Sequence, residues 1–389
     1  MHLLFATSLV PDKAPATGYD IANAAILAAL RRAGVRVTVM GFVWPGHKPA
    51  DPDTIVLGEL DVRTDTASMP QKLAWLGKAV AAGLTFSSIK LRAVSAQSVR
   101  AAVARAGPVD GYVLNAVQFA GAFEDVFRDR PSIFVAHNVE HQSAAENAAA
   151  ARDPIQRFMF SREARLLETM ERQLCDRASF VFTLAEQDRE ALGVRRDDRS
   201  AVLPLVTRSA PFRRRKPREL ACDAAMIGTW TWQPNRIGLD WFLEAVAPHL
   251  PADFRVRIGG KTPAGVKSAH PGIEFVGRVD DATEFVQSGA VVPLTSQAGT
   301  GVQLKTLEAF ELGLPCVATS RSLRGIDFLP ANCTRADDPK EFARALVQTA
   351  KMGHEIDGRE FYERQLAALD RRVQLGLARL GHAAPKVAA

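Results

Sequence analysis

Short segments rich in β-branched and aromatic residues alternate with helix-patterned stretches from one end of the sequence to the other. The first unit of this alternation comprises a strand at Leu3–Ser8, an alanine-rich helix at Tyr19–Arg32 that ends before Gly34, and a strand at Val35–Phe42. A strand, a helix and a second strand in this order form a βαβ unit, and successive units build parallel sheets covered by helices. The alternation therefore predicts an α/β protein with doubly wound parallel sheets.

The alternation is interrupted near the middle of the chain. At Arg208–Arg218 (RSAPFRRRKPR) the apolar periodicity gives way to prolines and a basic run, and a second series starts with a strand at Ala224–Ile227. A chain of 389 residues has room for two domains of roughly 100 to 200 residues each. We predict a first domain at 1–207, a linker at 208–218, a second domain at 219–356 and a terminal helix at 357–389 that crosses back to the first domain.

The composition excludes several classes of protein. Hydrophobic residues make up 47% of the chain and charged residues 24%, which is typical of a globular protein and excludes a disordered one. No window holds the roughly 18 apolar residues that a spanning helix needs, so we expect a protein that does not cross a membrane. The four cysteines lie far apart and outside any metal-binding spacing, which favours reduced thiols in a cytoplasmic protein.

The net charge of +6 and a pI near 9.3 favour an anionic partner: a nucleic acid, a phosphorylated small molecule or a membrane surface. No helix-turn-helix, RNP or zinc pattern is present, so we do not expect a nucleic acid partner. The region Met69–Arg105 has basic residues among apolar ones, a pattern that suits a membrane-surface face and equally suits core helices with solvated lysines. These basic residues are Lys72, Lys78, Lys90, Arg92 and Arg100.

A glycine-containing loop follows the strand predicted at Ala290–Leu294. Gly299, Thr300 and Gly301 form this loop, and it opens a helix predicted at Val302–Leu312. Free backbone N–H groups and the positive end of the helix dipole hold phosphate groups at such positions. The loop is therefore a predicted phosphate site.

Two charged residues follow on one face of the same predicted helix. Lys305 lies about one turn in, where the helix dipole disfavours a cation, so its presence indicates an anion to neutralise. Glu308 is three residues further on, and the Lys-before-Glu order is the poorer one for a helix ion pair. Separate binding roles therefore explain the two residues better than helix stability does. We expect Lys305 to bind phosphate and Glu308 to bind sugar hydroxyls.

Three motifs together resemble a known family. They are G-x-G-x-x-x-K-x-x-E-A-x-x-x-G-x-P at 299–315, F-V-G-R-V at 275–279 and G-x-x-x-x-x-P-N at 228–235. This combination resembles the C-terminal half of GT-B glycosyltransferases, and in particular the large, mainly retaining family (glycosyl transferases group 1) that includes sucrose synthases and many bacterial polysaccharide and lipopolysaccharide transferases. The resemblance implies two Rossmann-like domains that face a cleft, with a nucleotide-sugar donor held mainly by the second domain.

The resemblance also implies a role for each matching residue. Glu308 matches the second glutamate of the family's pair, which binds ribose hydroxyls, whereas Thr300 stands where the first glutamate would be. Lys305 and the amides of 299–301 correspond to the diphosphate site, and Arg236 or Arg278 would add charge stabilisation for the leaving diphosphate. The donor-binding candidates are Gly228, Thr229, Asn235, Arg236, Gly277, Arg278, Val279, Gly299, Thr300, Gly301, Lys305 and Glu308.

In the first domain, Gly18 resembles the glycine loop that faces the acceptor and the β-phosphate. His137, at the end of a strand in V-A-H-N-V-E-H, matches the histidine that relatives place near the sugar, and Asn138 and Glu140 are acceptor-side candidates. The spacing of His137 and His141 also permits a metal pair, but no third ligand is evident and we expect no metal. Asp51 to Asp53 has D-x-D form between prolines, which favours turn chemistry.

We therefore expect a cytoplasmic glycosyltransferase with His137 and Lys305 as catalytic residues. It would move a sugar from a UDP- or GDP-sugar to a saccharide or lipid-linked acceptor, in exopolysaccharide, capsule or lipopolysaccharide synthesis, without a cofactor. An anionic membrane surface, on the inner face of the membrane, is a further expected partner. Two alternatives remain open: a nucleotide-sugar epimerase of the same architecture, and a non-catalytic nucleotide-sugar-binding subunit.

Overall fold

The computed structural model describes residues 1–12, 17–62, 67–151, 153–214 and 216–383. The chain divides into two compact units. The first comprises Met1–Leu205 together with the chain from Ala367 onward, and the second comprises Val206–Leu366. Each unit is built on one parallel sheet covered by helices, so the predicted fold class is confirmed.

The first unit contains seven parallel strands. They are β1 (His2–Leu9), β2 (Arg36–Val43), β3 (Thr54–Glu59), β4 (Gly111–Asn115), β5 (Ser132–Ala136), β6 (Phe180–Thr183) and β7 (Ser200–Val202). The helices between them are α1 (Gly18–Arg32), α2 (Met69–Ala82), α3 (Phe86–Leu91), α4 (Ala96–Arg105), α5 (Val117–Ala122), α6 (Glu140–Ala150), α7 (Pro154–Arg177) and α8 (Glu186–Ala191). The strand order is β3-β2-β1-β4-β5-β6-β7.

The second unit contains six parallel strands in the order β10-β9-β8-β11-β12-β13. They are β8 (Cys222–Ile227), β9 (Val256–Gly259), β10 (Ile273–Gly277), β11 (Gly289–Leu294), β12 (Cys316–Ala318) and β13 (Cys333–Arg335). The helices are α9 (Gln233–Trp241), α10 (Ala282–Gln287), α11 (Leu304–Glu311) and α12 (Pro339–Met352). The last helix, α13 (Arg359–Ala383), starts in the second unit and ends in the first.

The central strands are buried on both faces. Leu3, Leu4, Phe5 and Ala6 of β1 are inaccessible to solvent, and the central strand β11 of the second unit is buried along its whole length. Continuous apolar runs of this kind are what a parallel sheet with helices on both faces requires. Within the described ranges, no helix is both long and apolar enough to span a membrane.

In each sheet the strand order reverses direction at one point. The reversal lies between β1 and β4 in the first unit and between β8 and β11 in the second. The loops that leave the carboxyl ends of the two central strands run to opposite faces there, which opens a crevice where ligands bind in α/β proteins.

The predicted linker is not a free connection. Arg218, whose side chain is 3% exposed, donates to Glu355 (2.7 Å) and to the carbonyl of Gly289 (2.8 Å). Arg214 donates to the carbonyl of Leu312 (3.1 Å) and pairs with the same Glu355. The segment lacks apolar periodicity because guanidinium groups, and not apolar side chains, attach it to the second unit.

Candidate active site

The loop at 299–301 leaves the carboxyl end of β11 in a conformation that needs glycine. Gly299 has a φ of +95° and Gly301 a φ of +73°, both in the left-handed region that side chains disfavour. Thr300, between them, is buried. The helix that follows starts at Leu304 and not at the predicted Val302, because Gln303 is still extended as the N-cap residue. The loop's role as a phosphate site stays a prediction.

Lys305 lines a pocket in the second unit. Its ammonium is 3.5 Å from the Asn235 side-chain oxygen and 5.7 Å from the centre of the Trp230 ring. Burial lowers the pKa of Lys305 to about 8. Trp230 is itself buried and donates its ring N–H to the carbonyl of Gly259 (2.8 Å). Binding of an anion stabilises the charged form of a cation that is poorly solvated in this way.

Glu308 lines the same pocket and is held by two residues that the sequence did not indicate. Its Oε1 accepts hydrogen bonds from Arg208 (3.0 Å) and from the hydroxyl of Thr283 (2.9 Å). Arg208 lies in the predicted linker and Thr283 lies on α10. Each is far from Glu308 in sequence, so no local spacing could have identified them.

A second glutamate of α11 is buried one turn further on. Glu311 accepts hydrogen bonds from the backbone N–H of Thr207 (2.8 Å) and from the Thr207 hydroxyl. Burial raises the pKa of Glu311 to about 7. Both carboxylates of this helix are therefore bonded to consecutive residues, Thr207 and Arg208.

The other donor-side candidates lie at the carboxyl ends of β8, β9 and β10. Gly228 approaches Gly260 so closely that a Cβ on Gly260 would lie 2.0 Å from the Gly228 carbonyl oxygen. The Gly260 N–H donates to the carbonyl of Gly277 (2.6 Å), whose φ is +72°. Arg278, next along the chain, is exposed and Val279 is half-buried. These strand ends therefore form one closely packed edge.

Two candidates on α9 have different surroundings. Asn235 donates to the carbonyl of Thr229 (3.2 Å) and accepts from Lys305, so these three predicted residues lie together. Arg236 instead donates to both carboxylate oxygens of Asp240 (2.6 and 2.7 Å), one helical turn away. An anionic ligand would have to compete with Asp240 for this guanidinium.

In the first unit, His137 lies buried at the carboxyl end of β5. Its Nε2 is 2.8 Å from Asn115 Oδ1, and its ring lies 5.1 Å from that of Tyr19. Because an amide oxygen only accepts, Nε2 carries the proton and Nδ1 presents a lone pair. Burial lowers the pKa of His137 to about 4, so the ring is neutral at physiological pH.

Asn115 belongs to a network of uncharged polar groups that the sequence did not indicate. Its amide nitrogen donates to Asn23 (2.7 Å), to Thr7 (3.2 Å) and to the Tyr19 hydroxyl (3.2 Å). The Thr7 hydroxyl donates to the carbonyl of Leu9 (3.2 Å), so it accepts from its neighbours, which fixes the orientation of the Asn115 amide. The network joins β1, α1 and β4 at the strand-order reversal.

The residue after Asn115 has an unusual backbone. Ala116 has a φ of 66° and a ψ of 158°, is buried, and donates its N–H to the carbonyl of Val135 (2.9 Å). A side-chain-bearing residue is strained in this region, and such strain is often found at functional sites. The strained turn lies between the strand end that carries Asn115 and the start of α5.

The acceptor-side candidates follow His137 or open α1. Asn138 donates to Glu140 (3.3 Å), and burial raises the pKa of Glu140. Gly18 is the first residue of α1, whose N-terminus is closed by a reciprocal Thr17–Asp20 capping box. The structure thus places Gly18 in the first turn of a capped helix, and its role towards the acceptor stays a prediction.

The metal alternatives for this region gain no support. His141 Nδ1 is 2.6 Å from Glu171, whose carboxylate also accepts the backbone N–H groups of Glu140 and His141 at the start of α6. Asp51 accepts the backbone N–H of Asp53 (2.9 Å), which is the turn chemistry that its sequence predicts. Among the described residues, no group of three or more His, Cys, Asp or Glu is placed to hold a metal ion.

Residues 222–351 match the model of the family Glycosyl transferases group 1. The chain carries a group 1 glycosyltransferase domain. That domain runs from β8 into α12 and contains Asn235, Lys305 and Glu308, whereas Thr207 and Arg208 precede it. No curated protein matches the chain.

Solved structures of low sequence identity share the fold of both units. WaaG, a glycosyltransferase involved in lipopolysaccharide biosynthesis, gives a TM-score of 0.56 at 15% identity, over 98% of this chain and 100% of that one. Sucrose-phosphate synthase from Thermosynechococcus elongatus gives a TM-score of 0.57 at 14% identity, over 98% of this chain and 94% of that one. HepE from Anabaena, in complex with UDP, gives a TM-score of 0.56 at 14% identity, over 97% of this chain and 100% of that one. These structures confirm the predicted GT-B fold, and the family match over 222–351 confirms the predicted resemblance of the second unit to group 1 glycosyltransferases.

Proposed function

We propose that this glycosyltransferase moves a sugar from a UDP- or GDP-sugar to a saccharide or lipid-linked saccharide acceptor in the synthesis of a cell-surface polysaccharide. The observation that carries the proposal is Lys305, a poorly solvated cation in the same pocket as Glu308 and in contact with Asn235. A nucleotide diphosphate supplies the anion for Lys305 and the ribose hydroxyls for Glu308. The UDP seen with HepE and the UDP and glucose in a second HepE complex are consistent with such a donor.

The two units have different parts in this proposal. The second unit binds the donor at the crevice between β8 and β11, and Lys305 stabilises charge on the departing diphosphate. The first unit presents His137 to the transferred sugar and binds the acceptor near Asn138 and Glu140. A neutral His137 orients the sugar through hydrogen bonds, with Nδ1 accepting from a hydroxyl. No cofactor or metal is required by these steps.

Thermal denaturation with a panel of nucleotide sugars tests the donor assignment. A ligand that binds the native state raises the melting temperature by an amount that grows with its concentration above Kd. We expect a UDP- or GDP-sugar to stabilise the wild type, and Lys305→Ala to lose most of that stabilisation. A chain that no nucleotide sugar stabilises would contradict the donor assignment.

Product analysis then separates transfer from the two alternatives. A transferase releases nucleotide diphosphate and needs an acceptor, whereas an epimerase converts the nucleotide sugar without one. A non-catalytic subunit, for which Thr300 in place of the family glutamate is the motive, would bind the donor without turnover. Incubation of the stabilising nucleotide sugar with and without acceptor saccharides distinguishes all three.

Helix α2 supports a second part of the proposal, attachment to an anionic membrane. Met69, Leu73 and Val80 lie at helical spacing on α2 and are 64%, 62% and 54% exposed. Lys78 on the same helix and Arg92 after α3 are exposed as well. Exposed apolar residues at this spacing, with exposed basic residues nearby in the chain, suit the interfacial region of a bilayer.

One residue predicted to face this membrane does not. Lys90 is buried, donates to the carbonyl of Val62 (2.9 Å) and lies over the rings of Trp75 and Phe86. Its pKa is lowered to about 8 by burial. The periodic pattern treated this lysine as solvated, but its long side chain reaches an interior carbonyl, so Lys90 is removed from the proposed membrane face.

Liposome sedimentation tests the membrane face. We expect binding that increases with anionic lipid, decreases with salt, and weakens in a Leu73→Gln, Lys78→Gln double variant. Lys340→Gln, an exposed substitution on α12 of the second unit, is the matched control. Equal sedimentation with neutral and anionic vesicles would contradict attachment through this face.

A further inference from the structure

The segment that opens the second unit is bonded to both carboxylates of the donor helix α11. Thr207, the second residue of this unit, donates twice to Glu311 through its N–H (2.8 Å) and its hydroxyl. Arg208 donates to Glu308 (3.0 Å). Two consecutive residues thus contact two carboxylates that are one helical turn apart, so the segment and the helix act as one rigid element.

Arg208 is held in place from several directions. Its guanidinium donates to the Thr283 hydroxyl (3.0 Å) as well as to Glu308 and lies 5.4 Å from the centre of the Phe212 ring. Its backbone carbonyl accepts the hydroxyl of Tyr362 (3.3 Å). Because of these contacts, the Arg208 side chain loses little conformational entropy when a ligand binds.

The contacts to Glu308 fall on one of its two oxygens. Arg208 and Thr283 both donate to Oε1, at 3.0 and 2.9 Å, and Thr283 in turn accepts from Arg208. These three groups form a closed triangle that sets the plane of the carboxylate. A pair of hydroxyl donors would therefore bond to the other oxygen, Oε2.

We infer that Arg208 is a positioning residue that fixes the Glu308 carboxylate for recognition of the nucleotide ribose. This inference rests on the proposed donor-binding function. Without Arg208, the carboxylate plane would rotate and the selectivity for a ribose over a sugar that lacks the hydroxyls would fall. A site built to bond a hydroxyl rejects the analogue without it because the buried acceptor is then left unpaired.

Calorimetric titration with matched nucleotides tests the inference. UDP and GDP are each compared with their 2′,3′-dideoxy forms, and the ratio of the two dissociation constants measures ribose selectivity. We expect a ratio of at least tenfold in the wild type and of about threefold or less in Arg208→Ala and in Glu308→Gln. Arg208→Lys should restore part of the ratio, because an ammonium reaches the carboxylate but cannot bond Thr283 with the same geometry.

The control is Arg213→Ala, an exposed arginine five residues along the same segment, which should leave the ratio unchanged. A merely structural role for Arg208 would weaken both nucleotides equally and leave their ratio intact, and that result would overturn the inference. If Arg208→Ala does not fold, Thr283→Val is measured instead, with a reduced ratio expected. A wild type that does not distinguish ribose from dideoxyribose would instead remove the proposed role of Glu308 itself.

Discussion

The crevices of the two sheets both lie at a reversal of the strand order, but their side chains differ in chemistry. At the first, between β1 and β4, uncharged groups surround His137: Thr7, Tyr19, Asn23 and Asn115. At the second, between β8 and β11, the pocket holds a cation and a carboxylate, Lys305 and Glu308. Hydrogen bonds among neutral groups fix an orientation, whereas incompletely compensated charge favours a charged ligand.

Burial lowers the pKa of one base in each crevice, with opposite outcomes at neutral pH. A pKa of about 4 leaves His137 neutral, while a pKa of about 8 leaves Lys305 mostly charged. The first crevice can therefore distinguish hydroxyl groups without attracting ions, and the second can attract a diphosphate.

Loss of the cation should have the largest effect. Lys305→Ala removes charge stabilisation from the leaving diphosphate, and we expect turnover to fall by about 100-fold or more, as for other preorganised transition-state contacts. Steady-state kinetics with the donor found by thermal shift measures this.

Binding of the diphosphate should also raise the pKa of Lys305, so at pH 8 the wild type should take up about half a proton on binding. Titration in buffers of different ionisation enthalpy would show no such uptake if Lys305 does not meet the diphosphate.

Glu311 should make the stability of the second unit depend on pH. Its pKa is 4.5 in an unfolded chain and about 7 in the native state, so between these values only the native state holds the proton. Stability therefore falls as pH rises from 5 to 8, by on the order of 3 kcal/mol. Glu311→Gln should remove this dependence while keeping both contacts to Thr207. If the melting temperatures of the wild type and of Glu311→Gln change with pH in the same way between pH 5 and 8, the assignment is contradicted.

The neutral crevice should affect transfer more than nucleotide binding. We expect His137→Ala to reduce transfer at least tenfold while the dissociation constant of UDP or GDP stays the same. In the wild type, the acid side of the pH–rate profile should show no ionisation near pH 6.5, because the pKa of His137 is about 4. A variant that loses nucleotide binding together with stability would make His137 a structural residue.

The smallest effect concerns the strained turn next to Asn115. Glycine adopts the backbone angles of Ala116 without strain, so Ala116→Gly should relieve roughly 1 kcal/mol or more in the native state, partly offset by greater freedom in the unfolded chain. Chemical denaturation measures the balance. If stability rises while transfer falls, the strain holds Asn115 and His137 in their working geometry. Equal stability and equal transfer would mean that the turn has no such role.

The loop and helix at 299–308 were predictable because their signals are local. Glycines with positive φ at 299 and 301, and the spacing of Lys305 and Glu308 on one helix, lie within ten residues of each other. The network at His137 was not predictable, because Thr7 meets Asn115 only when β1 pairs with β4, across more than a hundred residues. Arg208 was missed for a similar reason. A basic, proline-containing run is typical of a linker, and its guanidinium partners come from distant helices.

Helix α13 has a consequence for the order in which the protein forms. Its later part belongs to the first unit, where Asp370 pairs with Arg32 (2.7 Å), Gly376 contacts Phe182, and Leu380 packs against Gly111 of β4. A ribosome therefore synthesises the whole second unit before the part of α13 that covers the first sheet. Until that part emerges, the nascent first unit has an apolar surface without its cover, and it acquires its full stability only after the second unit has been made.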